Sequence, residues 1–172
     1  WRVSSEMDVV IASAEREYDE NPRDLGWILD KVLECHKVKK LDLVILDPWN
    51  EIEWSKPRDI SQGDWIGQCL KYITGFVRKH GLTLILSAHP TKAGVVDGKV
   101  PGPYDVDGSA HWANKPDNVL CVWRGKGKDT KVVSQKVREV GAGKRGGECH
   151  FIVDEETGVF TAQYGASGVP NT

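Results

Sequence analysis

The sequence has no long hydrophobic run. Nowhere in its 172 residues do apolar residues approach the roughly 18 to 20 in a row that a membrane span requires. No basic, apolar, small-residue pattern opens the chain as a secretory signal would. These features predict a cytoplasmic protein with no membrane partner. Neither charge is in clear excess: 23 Lys and Arg stand against 25 Asp and Glu, giving a formal net charge of -2 and a pI near 6.2. Without a global basic field, any contact with nucleic acid has to come from local basic loops. Cysteine is sparse and scattered. Cys35, Cys69, Cys121 and Cys149 form no C-x-x-C pair, so neither a zinc site nor a dithiol redox motif is suggested, and buried thiols are predicted. There is no internal repeat. The single methionine is Met7 and the chain opens on Trp1, which leads us to expect a piece of a longer protein.

What is present fits one soluble globular domain, with 40% hydrophobic and 28% charged residues. "DVVIASAE", Asp8 to Glu15, has the β-branched density of a short strand. A helix is predicted from about Pro22 to Asp24 onward, where Leu25, Ile28, Leu29, Val32 and Leu33 recur on one face. "LDLVILD", Leu41 to Asp47, is too continuously apolar to have a wet face and reads as a strand covered on both sides in a parallel sheet. A second helix is predicted from about Ser61 to His80, with Gly81 as its stop. "LTLILSAHP" follows as another buried strand. Strand, helix, strand, helix, strand is the order of a doubly wound α/β sheet, whose functional edge lies at the carboxyl ends of its strands. Asp47 and His89 stand at that edge.

Pro90 to Gly108 is rich in Gly and Pro and has no periodicity. Loops longer than about 12 to 15 residues are usually functional or disordered. Beyond it, Asn118–Arg124, Thr130–Arg138, Gly147–Asp154 and Gly158–Tyr164 read as strands joined by short turns, so an antiparallel half is expected to extend the parallel one into a mixed sheet. "GAGKRGG", Gly141 to Gly147, reads as one of the hairpin turns. Residues 1–164 are expected to form the domain and 165–172 a flexible tail.

Three sets of residues carry candidate chemistry. A greasy strand ending on Asp47 suits a nucleotide-hydrolysing site, where the carboxylate orders Mg²⁺ and its waters against phosphates. It equally suits a strand whose last Asp caps a turn. His89, at the end of the neighbouring strand, could sense a γ-phosphate or be a surface residue. Lys136 and Arg138, at alternate positions of one strand, point to the same side and could reach a phosphate, or could form the strand's solvent face.

Taken together and in order, "LDLVILDPWNEI", "LILSAHPTK", "DVDGSAHWANKPDNVLCVWR" and "SQKVREVGAGKRGGECHFIVDEETGVF" resemble the RecA-like motor domain of replicative hexameric helicases. The likeness runs from about Pro22 to Phe160 and is greater to the Twinkle-like and phage primase-helicase branch than to the main bacterial one. The resemblance implies a RecA-like P-loop NTPase core, ATP and Mg²⁺ as cofactors, and single-stranded DNA as partner. It also implies a hexameric ring of like subunits, a primase or primase domain as a further partner, and a bacterial or phage-infected cell as the setting. Residue by residue, it makes Asp47 the Walker B aspartate and His89 the phosphate sensor. Pro90 to Tyr104 becomes the central-channel loop that holds DNA, with Lys92 and Lys99 as its cations. Lys136 and Arg138 become the basic pair, and Arg138 the arginine finger inserted into a neighbouring subunit's ATP site.

One part of the family pattern is missing. Nothing in the chain fits G-x-x-x-x-G-K-[ST], the loop whose amides and lysine cradle phosphates; "GAGKRGG" matches it only in composition. In the family that loop and a catalytic glutamate lie upstream of the Walker B strand, so an N-terminally truncated core is expected, and Glu6 is left unassigned. Two functions follow as expectations. The chain is either the C-terminal part of a helicase motor, inactive when alone, or a RecA-like module without ATPase activity that binds DNA or a replisome partner.

Overall fold

A capping signal in the sequence marks where the first described helix begins. Asp24 accepts a hydrogen bond on Oδ1 from the Trp27 amide at 2.9 Å, satisfying one of the orphan donors of α1, Leu25–Val38. The second helix, α2, spans Gln62–His80. At its start the Ser61 hydroxyl accepts from the Asp64 amide and donates to the Asp64 carboxylate. At its end Gly81 takes a left-handed φ of 66°, and its amide closes on the Val77 carbonyl. The computed structural model containing these elements describes residues 24–52, 56–92, 94, 99–125 and 129–163. The expected strand at Asp8–Glu15, Glu6 and the tail 165–172 lie outside the described residues.

Strands β1, Leu43–Leu46, and β2, Thr83–Leu86, pair in parallel with Leu43 opposite Thr83 and Leu46 opposite Leu86. With α2 between them they form the expected β-α-β unit. Side chains alternate across this pair. Leu46, Leu84 and Leu86 pack against one apolar cluster made by Leu25 and Leu29 of α1, Ile66, Cys69, Leu70 and Ile73 of α2, and Trp49, Ile52 and Trp112. Leu29 and Ile66 are the deepest, and burying such an aliphatic side chain contributes about 1.5–3 kcal/mol. Burial also pushes the Cys69 thiol up to about 11.

The opposite face corrects the expectation of strands covered on both sides. Leu43, Ile45 and Ile85 are 43%, 61% and 51% exposed. The reason is that α1 and α2 both contribute to the cluster on the other face, and among the described residues nothing is layered over this one.

The second half is an antiparallel ladder in sequence order: β3, Asn118–Arg124; β4, Asp129–Val137; β5, Glu148–Val153; β6, Phe160–Gln163. Gly141 to Gly147 lies in the hairpin connection between β4 and β5, as read from its spacing. The parallel and antiparallel components expected of a mixed sheet are therefore both present. Among the described residues they are separately hydrogen-bonded, as a two-stranded and a four-stranded sheet. A short helix that the sequence pattern did not reveal, α3, His111–Asn114, joins the long loop to β3.

Candidate functional site

β1 ends at Leu46, and the backbone ladder continues past it: the Ser87 amide donates to the Leu46 carbonyl at 3.0 Å, and the Trp49 amide to the Ser87 carbonyl at 2.9 Å. Asp47 lies between these two bonds. Its Oδ1 accepts a hydrogen bond from the Ser87 hydroxyl, while its other oxygen makes no hydrogen bond among the described residues. The residue itself is exposed. Asp47 is thus a carboxylate oriented by the neighbouring strand end and open to solvent, at the edge where α/β sheets bind ligands. His89 follows Ser87 along the same segment. It is exposed, and its imidazole makes no hydrogen bond among the described residues.

The loop that leaves at Pro90 has a closed base. Pro90 bridges Val106, the Thr91 amide donates to the Asp105 carbonyl at 2.7 Å, and the Asp107 amide reaches the His89 carbonyl at 3.5 Å. Gly94 fits only as glycine, because a Cβ there would lie 2.5 Å from Cβ of Asp105. The Gln135 side chain donates to the Pro101 carbonyl and holds the loop against β4. Lys92 and Lys99 are exposed and make no hydrogen bond or ion pair among the described residues.

Lys136 and Arg138 project to the same side, as their alternation predicts. Both meet the C-terminal end of α3. Lys136 Nζ donates to the carbonyls of Ala113 and Asn114 at 2.8 and 2.9 Å. Arg138 donates to those of Asn114 and Lys115 at 3.2 and 3.1 Å and pairs with Asp117 at 2.8 Å. Burial, and then the neighbouring Arg138, lower the Lys136 pKa, with Asp117 partly offsetting them. Asp47 and Ser87 are therefore brought together, with His89 further along the same segment, and so are Lys136 and Arg138. No hydrogen bond or ion pair among the described residues joins the first group to the second.

Three contributors lie inside the quoted segments but carry no role in the pattern read from them. Ser87 orients Asp47. Trp49 and Trp112, both buried, meet edge to face with centroids 4.9 Å apart and planes at 88°. The positions of Ser87 at a strand end and of Trp49 just past Asp47 are visible signals; the pairing of two tryptophans distant in sequence is not. A separate cleft of about 430 Å³, lined by Asp59, Ser61, Asp64, Lys71, His111 and Lys115 among others, includes none of Asp47, Ser87 or His89.

No protein-family model matches the chain. It is 27% identical over 152 residues to the Twinkle homolog protein, chloroplastic/mitochondrial, of Arabidopsis thaliana, a match covering 85% of this chain and 21% of that protein. The chain thus spans about a fifth of the length of this curated relative. Two similar solved structures are an ATPase domain and a DnaB-like replicative helicase described with its interactions with primase. The first has a TM-score of 0.70, 16% identity and coverage of 83% of this chain and 52% of that one. The second has a TM-score of 0.69, 16% identity and coverage of 83% and 36%. These likenesses establish the fold as RecA-like, the fold of helicase ATPase domains.

Proposed function

We propose, from this RecA-like fold and the residues it assembles, that the chain is part of the ATP-driven motor of a replicative DNA helicase that translocates on single-stranded DNA and unwinds duplex. The observation that carries the reading is the setting of Asp47, an exposed carboxylate at the carboxyl end of a parallel strand pair, held on one oxygen by Ser87. A carboxylate with one oxygen fixed and the other open fits a hard divalent cation, and Asp47 would hold Mg²⁺ through water. When bound, ATP with Mg²⁺ supplies the phosphoryl group and neutralises charge on its oxygens. In this reading Ser87 fixes the carboxylate's direction, and His89 reads the terminal phosphate at the head of the loop. The described residues include no glycine-rich cradle for phosphates, a part the reading assigns to protein outside this sequence.

Lys92 and Lys99 are the proposed DNA contacts. Two exposed ammonium groups on a loop with a rigid base suit a phosphate backbone, which is bound through charge. Arg138 is proposed to act in trans within a hexameric ring. A primase or primase domain is proposed as partner, supported by the helicase structure described with its primase interactions. No described helix is long and apolar enough to cross a membrane. The cytoplasm of a bacterial or phage-infected cell is the proposed setting, with a plastid or mitochondrion, after the Arabidopsis relative, as the alternative.

The test is ATP hydrolysis by the full protein that contains this chain. Asp47→Asn keeps the shape and removes the charge, and is expected to lower turnover by about a hundredfold or more, the scale of several kcal/mol of metal-dependent stabilisation. Circular dichroism and melting temperature should stay near wild type. Hydrolysis that survives Asp47→Asn undiminished would overturn the assignment.

A further inference from the structure

Trp49 and Trp112 are 7% and 6% exposed, and they link parts of the molecule that the functional reading treats as separate. Trp49 follows closely on Asp47, and its amide is bound by the Ser87 carbonyl at 2.9 Å. Its ring meets Trp112 edge to face. The indole N–H of Trp112 donates to the Asp107 carbonyl at 2.9 Å. The Asp107 amide in turn reaches the His89 carbonyl, which closes the base of the loop. Together with the chain running from Asp47 to Trp49 and from Ser87 to His89, these contacts form a closed circuit through Asp47, Ser87, His89, Asp107, Trp112 and Trp49. Trp112 also lies on the short helix whose terminal carbonyls hold Lys136 and Arg138.

We propose that Trp112 is a positioning residue that couples the loop carrying Lys92 and Lys99 to the Asp47 site, so that nucleotide bound at one and DNA bound at the other change each other's affinity. The physical basis is close packing. Two large rings in edge contact inside a dense core cannot shift independently by small amounts, so a displacement of the Asp47 turn is passed to the loop base and the reverse. The hydrogen bond to Asp107 makes the link directional, since it attaches the ring to the loop's own backbone. This inference rests on the functional reading above.

The test uses the full protein and two equilibrium measurements: the factor by which a non-hydrolysable ATP analogue changes affinity for single-stranded DNA, and the factor by which that DNA changes affinity for the analogue. Linkage requires the two factors to be equal, and couplings of this kind typically run about 5- to 150-fold. Trp112→Phe keeps an aromatic ring and removes the donor to Asp107. It is expected to bring both factors toward one together, while each ligand measured alone retains its affinity. A purely structural tryptophan would lower the melting temperature and leave both factors as in wild type, and that result overturns the proposal. Should Trp112→Phe fail to fold, Trp49→Phe, which trims the same ring contact and leaves the Asp107 bond, carries the same two outcomes. Failure of the wild-type protein to bind either ligand would overturn the functional reading and this proposal with it. Binding retained with coupling unchanged in the variant would overturn this proposal alone.

Discussion

Gly108 has a φ of +88°, and a Cβ there would lie 2.6 Å from Cδ1 of the buried Ile66. Gly75, in the exposed middle of α2, has nothing within 4 Å of the same position. The same substitution should therefore act with opposite signs. Gly108→Ala meets both a left-handed backbone, unfavourable by about 1–2 kcal/mol for an L-residue, and overpacking, which typically costs about 1–3 kcal/mol. Gly75→Ala should stabilise by about 0.5–1 kcal/mol through helix propensity and a more restricted unfolded chain. Urea unfolding of the two variants would check this, and a neutral Gly108→Ala would contradict the packing described. The functional consequence is at the loop: Gly108 is where the chain turns from Asp107 toward α3, so the strain would fall on the segment that Trp112 anchors.

At the scale of elements, the loop from Pro90 to Tyr104 is distinguished by a fixed base and an exposed cationic surface. In the full protein, Lys92→Ala and Lys99→Ala should each weaken single-stranded DNA binding. Removing one lysine–phosphate pairing should also flatten the slope of log K against log salt by roughly 0.7. Hydrolysis measured without DNA should be largely retained. Binding titrations at several salt concentrations make the check, and an unchanged slope would assign the loop to docking a partner instead. The helices and ladder strands were legible because periodicity and caps are local: Asp24, Ser61 and Gly81 stand where the capping rules predict. The helix α3 was not legible. Its 4 residues are too few for a periodic pattern, and it is held by Trp112 on the core and by the Lys136 and Arg138 side chains on its end.

At the scale of the whole molecule, no hydrogen bond or ion pair among the described residues connects Asp47 with Arg138, whose guanidinium is paired with Asp117 of its own chain. In the proposed reading, the Arg138 that completes an Asp47 site comes from a neighbouring subunit. Full-length Arg138→Ala and Asp47→Asn subunits are each expected to be inactive alone, one lacking the finger and the other the metal carboxylate. Mixed into one assembly, some ATPase activity should return, because an Arg138→Ala subunit still offers its Asp47 to the Arg138 of an Asp47→Asn neighbour. A guanidinium suits this role because its planar fork matches phosphate oxygens. An inactive single variant with no recovery on mixing would mean the residue acts within its own chain. Near-wild-type activity of Arg138→Ala alone would make it a surface residue.

By itself the sequence determined the order of α1, β1, α2, β2 and the four ladder strands, the strand end at Asp47, the place of His89 past the neighbouring strand and the shared direction of Lys136 and Arg138. Each of these follows from local rules: hydrophobic period, capping chemistry and the alternation of side chains along a strand. Only the tertiary structure decided that Ser87 orients Asp47, that Trp112 reaches Trp49, and that Lys136 and Arg138 rest on the carbonyls of α3. It also decided that Leu43, Ile45 and Ile85 stay exposed although their two strands read as buried on both sides. The reason is common to all of these. Apolarity along a strand states that a face favours cover, whereas which element covers it, and which distant side chain completes a polar or aromatic pair, depends on how the elements pack and is written in no single stretch of chain.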